Sequence, residues 1–168
     1  GIKVYMATGD NEQTAKAVAD KLSLDGYYSE VLPHEKSEII ETVDKLELLV
    51  DKGYTDFRFF NDNINFKLKY TIELANEIIR RNLNIRFSDS ANLSVGSKEM
   101  FSALSEAGCI KLWYGTETVV PRILKEIHKE VSPDQIEKML KWSDSVGIWN
   151  CCNFIFNFPH ESDQEFND

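Results

Sequence analysis

The chain has 168 residues, with 28 acidic against 19 basic side chains, a net charge of −9, 42% apolar and 28% charged content. That length suits one domain burying roughly 70% of its unfolded surface, so neither a disulfide framework nor a structural metal is required. The acidic balance argues against nucleic acid or an anionic membrane as partner, because phosphate binding needs clustered Lys and Arg. No apolar run approaches the ~20 residues of a membrane span. The three cysteines, Cys109, Cys151 and Cys152, lack C-x-x-C spacing, so we expect no metal site and a cytoplasmic location. The opening at Gly1, on a strand, leads us to expect a preceding portion of chain.

Apolar runs of strand length alternate with segments of helical period along the chain, which is the pattern of parallel βα units. The spacing predicts a strand over Ile2 to Ala7, a helix over Glu12 to Leu22, a short strand at Tyr28 to Val31 and a helix over Glu35 to Lys52. Strands at Phe57 to Phe60 and Ile85 to Ser88 flank a helix over Leu68 to Asn82. A helix over Lys98 to Ala107 is closed by Gly108, since glycine tolerates the left-handed conformation at a helix end. A strand at Ile110 to Tyr114, helices over Val119 to His128 and Pro133 to Val146, and a strand at Asn150 to Phe156 complete the series. Ser132 is a candidate cap and Pro133 a first-turn residue of the last helix. The fold class expected is α/β with six parallel strands in a partial (β/α) barrel, the alternative being an open doubly wound sheet. Either places ligands at the carboxyl ends of the strands.

The turn Thr8-Gly9-Asp10-Asn11 brings a hydroxyl and helix N-terminal amides to a strand end, where an anion would be stabilised and where a helix cap is also at home. The run from Gly1 through Thr8-Gly9-Asp10-Asn11 to Ala19, with Glu30-Val-Leu-Pro-His-Glu-Lys36, resembles the phosphorylation domain of heavy-metal P-type ATPases over about residues 1–43. That resemblance implies phosphoryl contacts from Thr8 and Gly9 within the T-G-D-N motif, and charge neutralisation by Lys36. The family's nucleophilic aspartate and its G-D-G-x-N-D magnesium motif are absent, and both are needed for phosphoryl transfer.

From about residue 44 a second resemblance takes over. Leu49-Val-Asp-Lys-Gly-Tyr-Thr-Asp-Phe-Arg-Phe-Phe-Asn-Asp-Asn, Ala107-Gly-Cys-Ile-Lys-Leu-Trp-Tyr-Gly-Thr-Glu117-Thr, Ile123 to Lys129 and Phe154-Ile-Phe-Asn-Phe-Pro-His-Glu161-Ser are similar to radical S-adenosylmethionine enzymes of the cobalamin-binding type. It implies a partial barrel and cofactor contacts at Asp62, Thr116, Glu117 and Glu161. The family's C-x-x-x-C-x-x-C triad is missing, and three thiolates on one loop are what leave an iron open to the cofactor. Asn157 and His160 stand where relatives carry the glycines of G-x-P-G-E.

With neither reactive set complete, the reading is a catalytically silent α/β scaffold, chimeric or engineered, joining fragments of two folds in one fused domain. It would hold no iron–sulfur cluster and no cofactor beyond residual S-adenosylmethionine binding. Two alternatives stay open: a weak S-adenosylmethionine- or phosphate-binding module, and a fragment of a radical enzyme or of a cation-transporting ATPase. His34, His128 and His160 read as surface residues, the strand aromatics as packing against helices, and an unpaired sheet edge as a route to self-association.

Overall fold

The computed structural model describes residues 5–8, 11–28, 36–60, 62–159, 161–162 and 164–165. Twelve elements follow in chain order: β1 (Tyr5–Thr8), α1 (Glu12–Lys21), β2 (Gly26–Tyr28), α2 (Lys36–Asp51), β3 (Asp56–Phe60), α3 (Leu68–Arg80), β4 (Arg86–Ala91), α4 (Lys98–Glu106), β5 (Cys109–Glu117), α5 (Pro121–Glu126), α6 (Pro133–Ser145) and β6 (Trp149–Phe154). The α/β alternation is as the periodicity predicts. The second strand lies earlier than the Tyr28 to Val31 expectation, of which residues 29–31 fall outside the described set, and the fifth extends three residues further, to Glu117.

All strand pairs are parallel and form one sheet in the order β2-β1-β3-β4-β5-β6. A barrel built in sequence order would put β2 between β1 and β3. Here β1 takes that place, with Ala7 opposite Phe59 and Thr8 opposite Phe60, so the chain reverses direction across the sheet after β2. Among the described residues β2 and β6 are the two edges.

Right-handed crossovers then put α1 on one face and the later helices on the other. The core shows this directly. Ile39 and Val43 of α2, Ile78 of α3, Phe101 and Leu104 of α4, and Met139 of α6 are buried with Phe59, Phe87, Leu112 and Tyr114 of the strands in one cluster. On the opposite face Met6 packs with Ala15 and Ala19 of α1 in a separate, smaller cluster. Beyond α1, no described helix covers that second face over β3 to β6. Strand periodicity therefore places Arg58, Ser88, Ser90, Lys111, Trp113, Trp149 and Cys151 on an open surface. The expectation that the strand aromatics pack against helices holds for Phe57 and Phe59, which join the helix-facing cluster, and is corrected for Phe60, Trp149, Phe154 and Phe156, which are exposed. Trp113 and Tyr114 do divide between the faces, with Tyr114 fully buried.

Candidate functional site

Because every strand runs the same way, all the carboxyl-end loops gather at one end of the sheet. The loops after β3 and β4 are tied together by Asn65, which is fully buried. Its amide nitrogen donates to the carbonyls of Asn92, at 2.7 Å, and Val95, while its amide oxygen accepts from the Asn92 N–H at 2.7 Å. Ile64 N–H donates to the Ser90 carbonyl at 2.8 Å, and the Thr71 hydroxyl to the Ile64 carbonyl at 2.8 Å, so α3 holds the same loop from below. Asn92 in turn accepts from both the N–H and the hydroxyl of Ser94 at 2.7 Å.

These loops and the one following α5 surround a cavity of about 380 Å³ lined by Asn63, Asn92, Ser94, Gly115, His128 and Lys129 among others. Small-molecule sites run from ~300 to 1,000 Å³. Over its wall Glu117 and Lys129 face each other at 3.8 Å. Gly115 makes this arrangement fit, since a Cβ there would stand 2.7 Å from the Glu117 Oε1 and 3.5 Å from the Lys129 Nζ. Glu117 itself adopts a left-handed backbone, φ 64°, which turns the chain out of β5. Its carbonyl accepts from Ile155 N–H at 2.8 Å, anchoring the chain that follows β6.

The four residues read from the second resemblance all lie at this end of the sheet. Thr116 is 1% exposed and its hydroxyl has no hydrogen-bond partner, which leaves one buried polar group unsatisfied beside Glu117. Asp62 is exposed on the loop after β3. Glu161 is turned back on its own loop, its Oε2 accepting from Phe158 N–H at 3.0 Å. Asn157 adopts φ 65°, a left-handed conformation that asparagine tolerates better than most side chains. His160 and His34 fall outside the described residues, and His128 is an exposed residue at the cavity rim.

The first motif is only partly described. Thr8 ends β1, Gly9 and Asp10 lie outside the described residues, and Lys36 begins α2, its side chain outside them too. Asn11 caps α1, accepting from Thr14 N–H at 3.0 Å. Sequence reasoning gave no role to Asn63, Asn65, Asn92 or Lys129. Their signal was faint: three asparagines and a lysine in loops look like ordinary solvated turns until the loops are brought together.

The cysteines do not form a cluster cradle. Cys109 is buried and its thiol is pushed up to about 12 by desolvation. Cys151 and Cys152 alternate across β6, and among the described residues no three His, Cys, Asp or Glu side chains converge on a metal position.

A parallel α/β sheet with a polar cavity at its carboxyl ends defines the general class, and the family follows from comparison. The model of the radical SAM superfamily matches residues 27–168, and the chain belongs to that superfamily. It is 26% identical over 132 residues to an uncharacterized methyltransferase of Pyrococcus horikoshii, covering 79% of this chain and 28% of that protein. In fold it is similar to the radical S-adenosylmethionine methyltransferase TsrM of Kitasatospora setae, with a TM-score of 0.69, 20% identity, and coverage of 76% of this chain and 26% of that one. A shorter stretch of 58 residues, 33% of this chain, is 48% identical to the copper-exporting P-type ATPase B of Archaeoglobus fulgidus, of which it covers 8%. The chain thus spans just over a quarter of the length of the methyltransferase relatives.

Membership in the superfamily overturns two expectations drawn from the sequence, that of a catalytically silent scaffold and that of a chain with no cofactor. TsrM has been solved with cobalamin and a [4Fe–4S] cluster bound. Among the described residues no helix is long and apolar enough to cross a membrane.

Proposed function

We propose that this chain is the S-adenosylmethionine-facing part of a radical enzyme of the methyltransferase type, with β3 to β6 forming an arc of its partial barrel. The observation that carries the reading is the superfamily match over residues 27–168, together with the cavity at the carboxyl ends of the strands it covers. The preceding β1-α1-β2 unit is then a βαβ piece similar to the ATPase phosphorylation domain, fused on as an extension of the sheet. The thiolates of an iron–sulfur cluster do not come from Cys109, Cys151 and Cys152, so we assign no step of the reaction to that group here.

The cofactor fits the residues that are present. Glu117 already holds an ammonium, that of Lys129, at 3.8 Å, and the amino group of S-adenosylmethionine is a second ammonium that could take that place. The exposed carboxylate of Asp62 is an acceptor for sugar hydroxyls, and Asn63 and Asn92 offer amides to the base. Glu161 orders the loop after β6 that flanks them. When bound, the cofactor supplies an activated methyl group or adenosyl fragment. The protein's own part is to orient it and, through the Asn65 tie, to keep the β3 and β4 loops rigid around it.

Thermal unfolding with and without S-adenosylmethionine tests this. Saturating cofactor at 100 times its dissociation constant stabilises by about 2.7 kcal/mol, which shows as a clear upward shift of the midpoint. Glu117→Gln should lose most of that shift while unfolding near the wild-type temperature without ligand. A midpoint that ignores millimolar cofactor, or that shifts equally in Glu117→Gln, would refute the reading.

A further inference from the structure

The two edges of the sheet are built differently. The β2 edge is short, Gly26–Tyr28, and follows Asp25. At the other end of the sheet β6 runs the full length of Trp149–Phe154. Soluble proteins blunt such an edge with a charged side chain, a proline or a bulge. From Ser145 to Pro159 no side chain is charged, in a chain where 28% are, and no proline interrupts β6 itself. Trp149, Phe154 and Ile155 stand on or beside it at 67%, 46% and 51% exposure.

The direction of each backbone group follows from one bond. Ile155 N–H donates to the Glu117 carbonyl of β5 at 2.8 Å. The N–H and C=O of a strand residue point to the same side, and that side alternates along the strand. Trp149, Cys151 and Asn153 therefore turn their backbone groups toward β5, while Asn150, Cys152 and Phe154 turn theirs outward. Among the described residues no strand pairs with that outer side. The side chains alternate as well. Asn150 donates to the Leu140 carbonyl of α6 at 3.2 Å and Cys152 packs on the helix-facing core, so Trp149, Cys151, Asn153 and Ile155 share the opposite face.

We infer that the outer edge of β6 pairs antiparallel with β6 of a second copy of this chain, about a two-fold axis through Cys152. A two-fold contact is self-complementary, so each residue faces the one equally far beyond the axis. With the axis at Cys152 every outward residue is matched: Cys152 faces Cys152, and Asn150 faces Phe154, each pair exchanging both N–H···O bonds. Moving the axis to Cys151 or Asn153 leaves Phe154 or Asn150 without a strand partner. On the open face Trp149 of one copy then lies opposite Ile155 of the other, an aromatic and β-branched pair of the kind that stabilises sheets. Charge favours the same edge. Two chains of net charge −9 repel, and the uncharged run from Ser145 to Pro159 lets them meet with least repulsion. This contact does not rest on the proposed cofactor site.

Analytical ultracentrifugation of the whole chain over a series of concentrations tests this. The mass is expected to rise from 19.3 kDa toward twice that value. Amide exchange on the same series should slow by at least about ten-fold at Asn150, Cys152 and Phe154 together as concentration rises. Cys152→Pro removes an N–H aimed at the second copy and none that bonds β5. Ile155→Lys sets a charge opposite Trp149 and keeps the backbone bond to Glu117. Both variants are expected to stay at 19.3 kDa, whereas Leu48→Lys, at a 60% exposed position on α2, should associate as the wild type does. Because Ile155→Lys changes only an exposed side chain, it decides the matter should Cys152→Pro fail to fold. A mass fixed at 19.3 kDa, or association that survives both edge variants, would overturn the inference. So would protection of the three amides that ignores concentration, which would mean that another segment of the same polypeptide covers the edge.

Discussion

Gly108 closes α4 at φ +100°, and its N–H donates to the Ser105 carbonyl at 3.0 Å while its carbonyl accepts from Phe87 N–H at 2.9 Å. A Cβ at this position would collide with the carbonyl oxygen of Ile85, at the entry to β4. Gly53 is a useful control, since its φ is +91° but a Cβ there meets nothing within 4 Å. Gly108→Ala should therefore lose roughly 2 kcal/mol more stability in urea than Gly53→Ala, which carries only the backbone strain of about 1 kcal/mol. Equal losses would mean that the collision relaxes freely. The helix end at Gly108 was legible in the sequence because glycine at a helix terminus is a local signal. The collision with Ile85 was not, since it exists only once β4 and β5 are neighbours. The site divides in the same way: Glu117 could be picked out by its motif, but Lys129 acquires meaning only from standing 3.8 Å away.

Besides their shared apolar core, helices α2 and α3 are tied by the Arg81 side chain just past the end of α3. Arg81 donates to Asp44 at 2.5 Å and Glu47 at 2.7 Å on α2, and to Glu77 at 2.8 Å on its own helix, while Arg80 reaches Glu77 at 2.6 and 2.7 Å. Hydrogen bonds from Arg80 and then Arg81 hold the Glu77 carboxyl at about 2, below the ordinary 4.5. A carboxylate depressed in the folded state stabilises it above the unfolded pKa. That contribution drains away as pH falls from about 4.5 toward 2. The Glu77 side chain is 16% exposed, so solvent screening reduces the contribution to roughly 1–2 kcal/mol. Urea midpoints measured at pH 6, 4 and 3 should fall more steeply for the wild type than for Glu77→Gln. Parallel slopes would remove Glu77 from the account. Apolar periodicity made both helices legible, yet polar staples between them leave no pattern in sequence, because any surface arginine looks the same until its neighbours are known.

At the scale of the whole molecule, the βα rhythm established six parallel strands but not their order. The connection after β1 is compatible with β2 on either side, and no residue type announces the choice. In the structure β1 pairs with β3, Ala7 in register with Phe59, and α1 takes the face that α2 to α6 leave open. That face is held lightly. The α1 cluster buries Met6, Ala15 and Ala19, and alanines return little, at ~0.8 kcal/mol per buried methylene-sized group, whereas the other cluster buries leucines, isoleucines and phenylalanines from every later helix. Two described residue pairs, Ala7 with Phe59 and Thr8 with Phe60, join the β1-α1-β2 unit to the rest of the sheet. This unit should therefore open before the global transition. Amide exchange in α1, whose Ala15 N–H bonds the Asn11 carbonyl at 3.0 Å, is expected to be at least about 100-fold less protected than in α4, where Phe101 N–H bonds the Ser97 carbonyl at 3.1 Å. Equal protection in the two helices would show instead that the ATPase-like unit and the radical SAM strands unfold as one, and that the β1 to β3 seam is as strong as any other in the sheet.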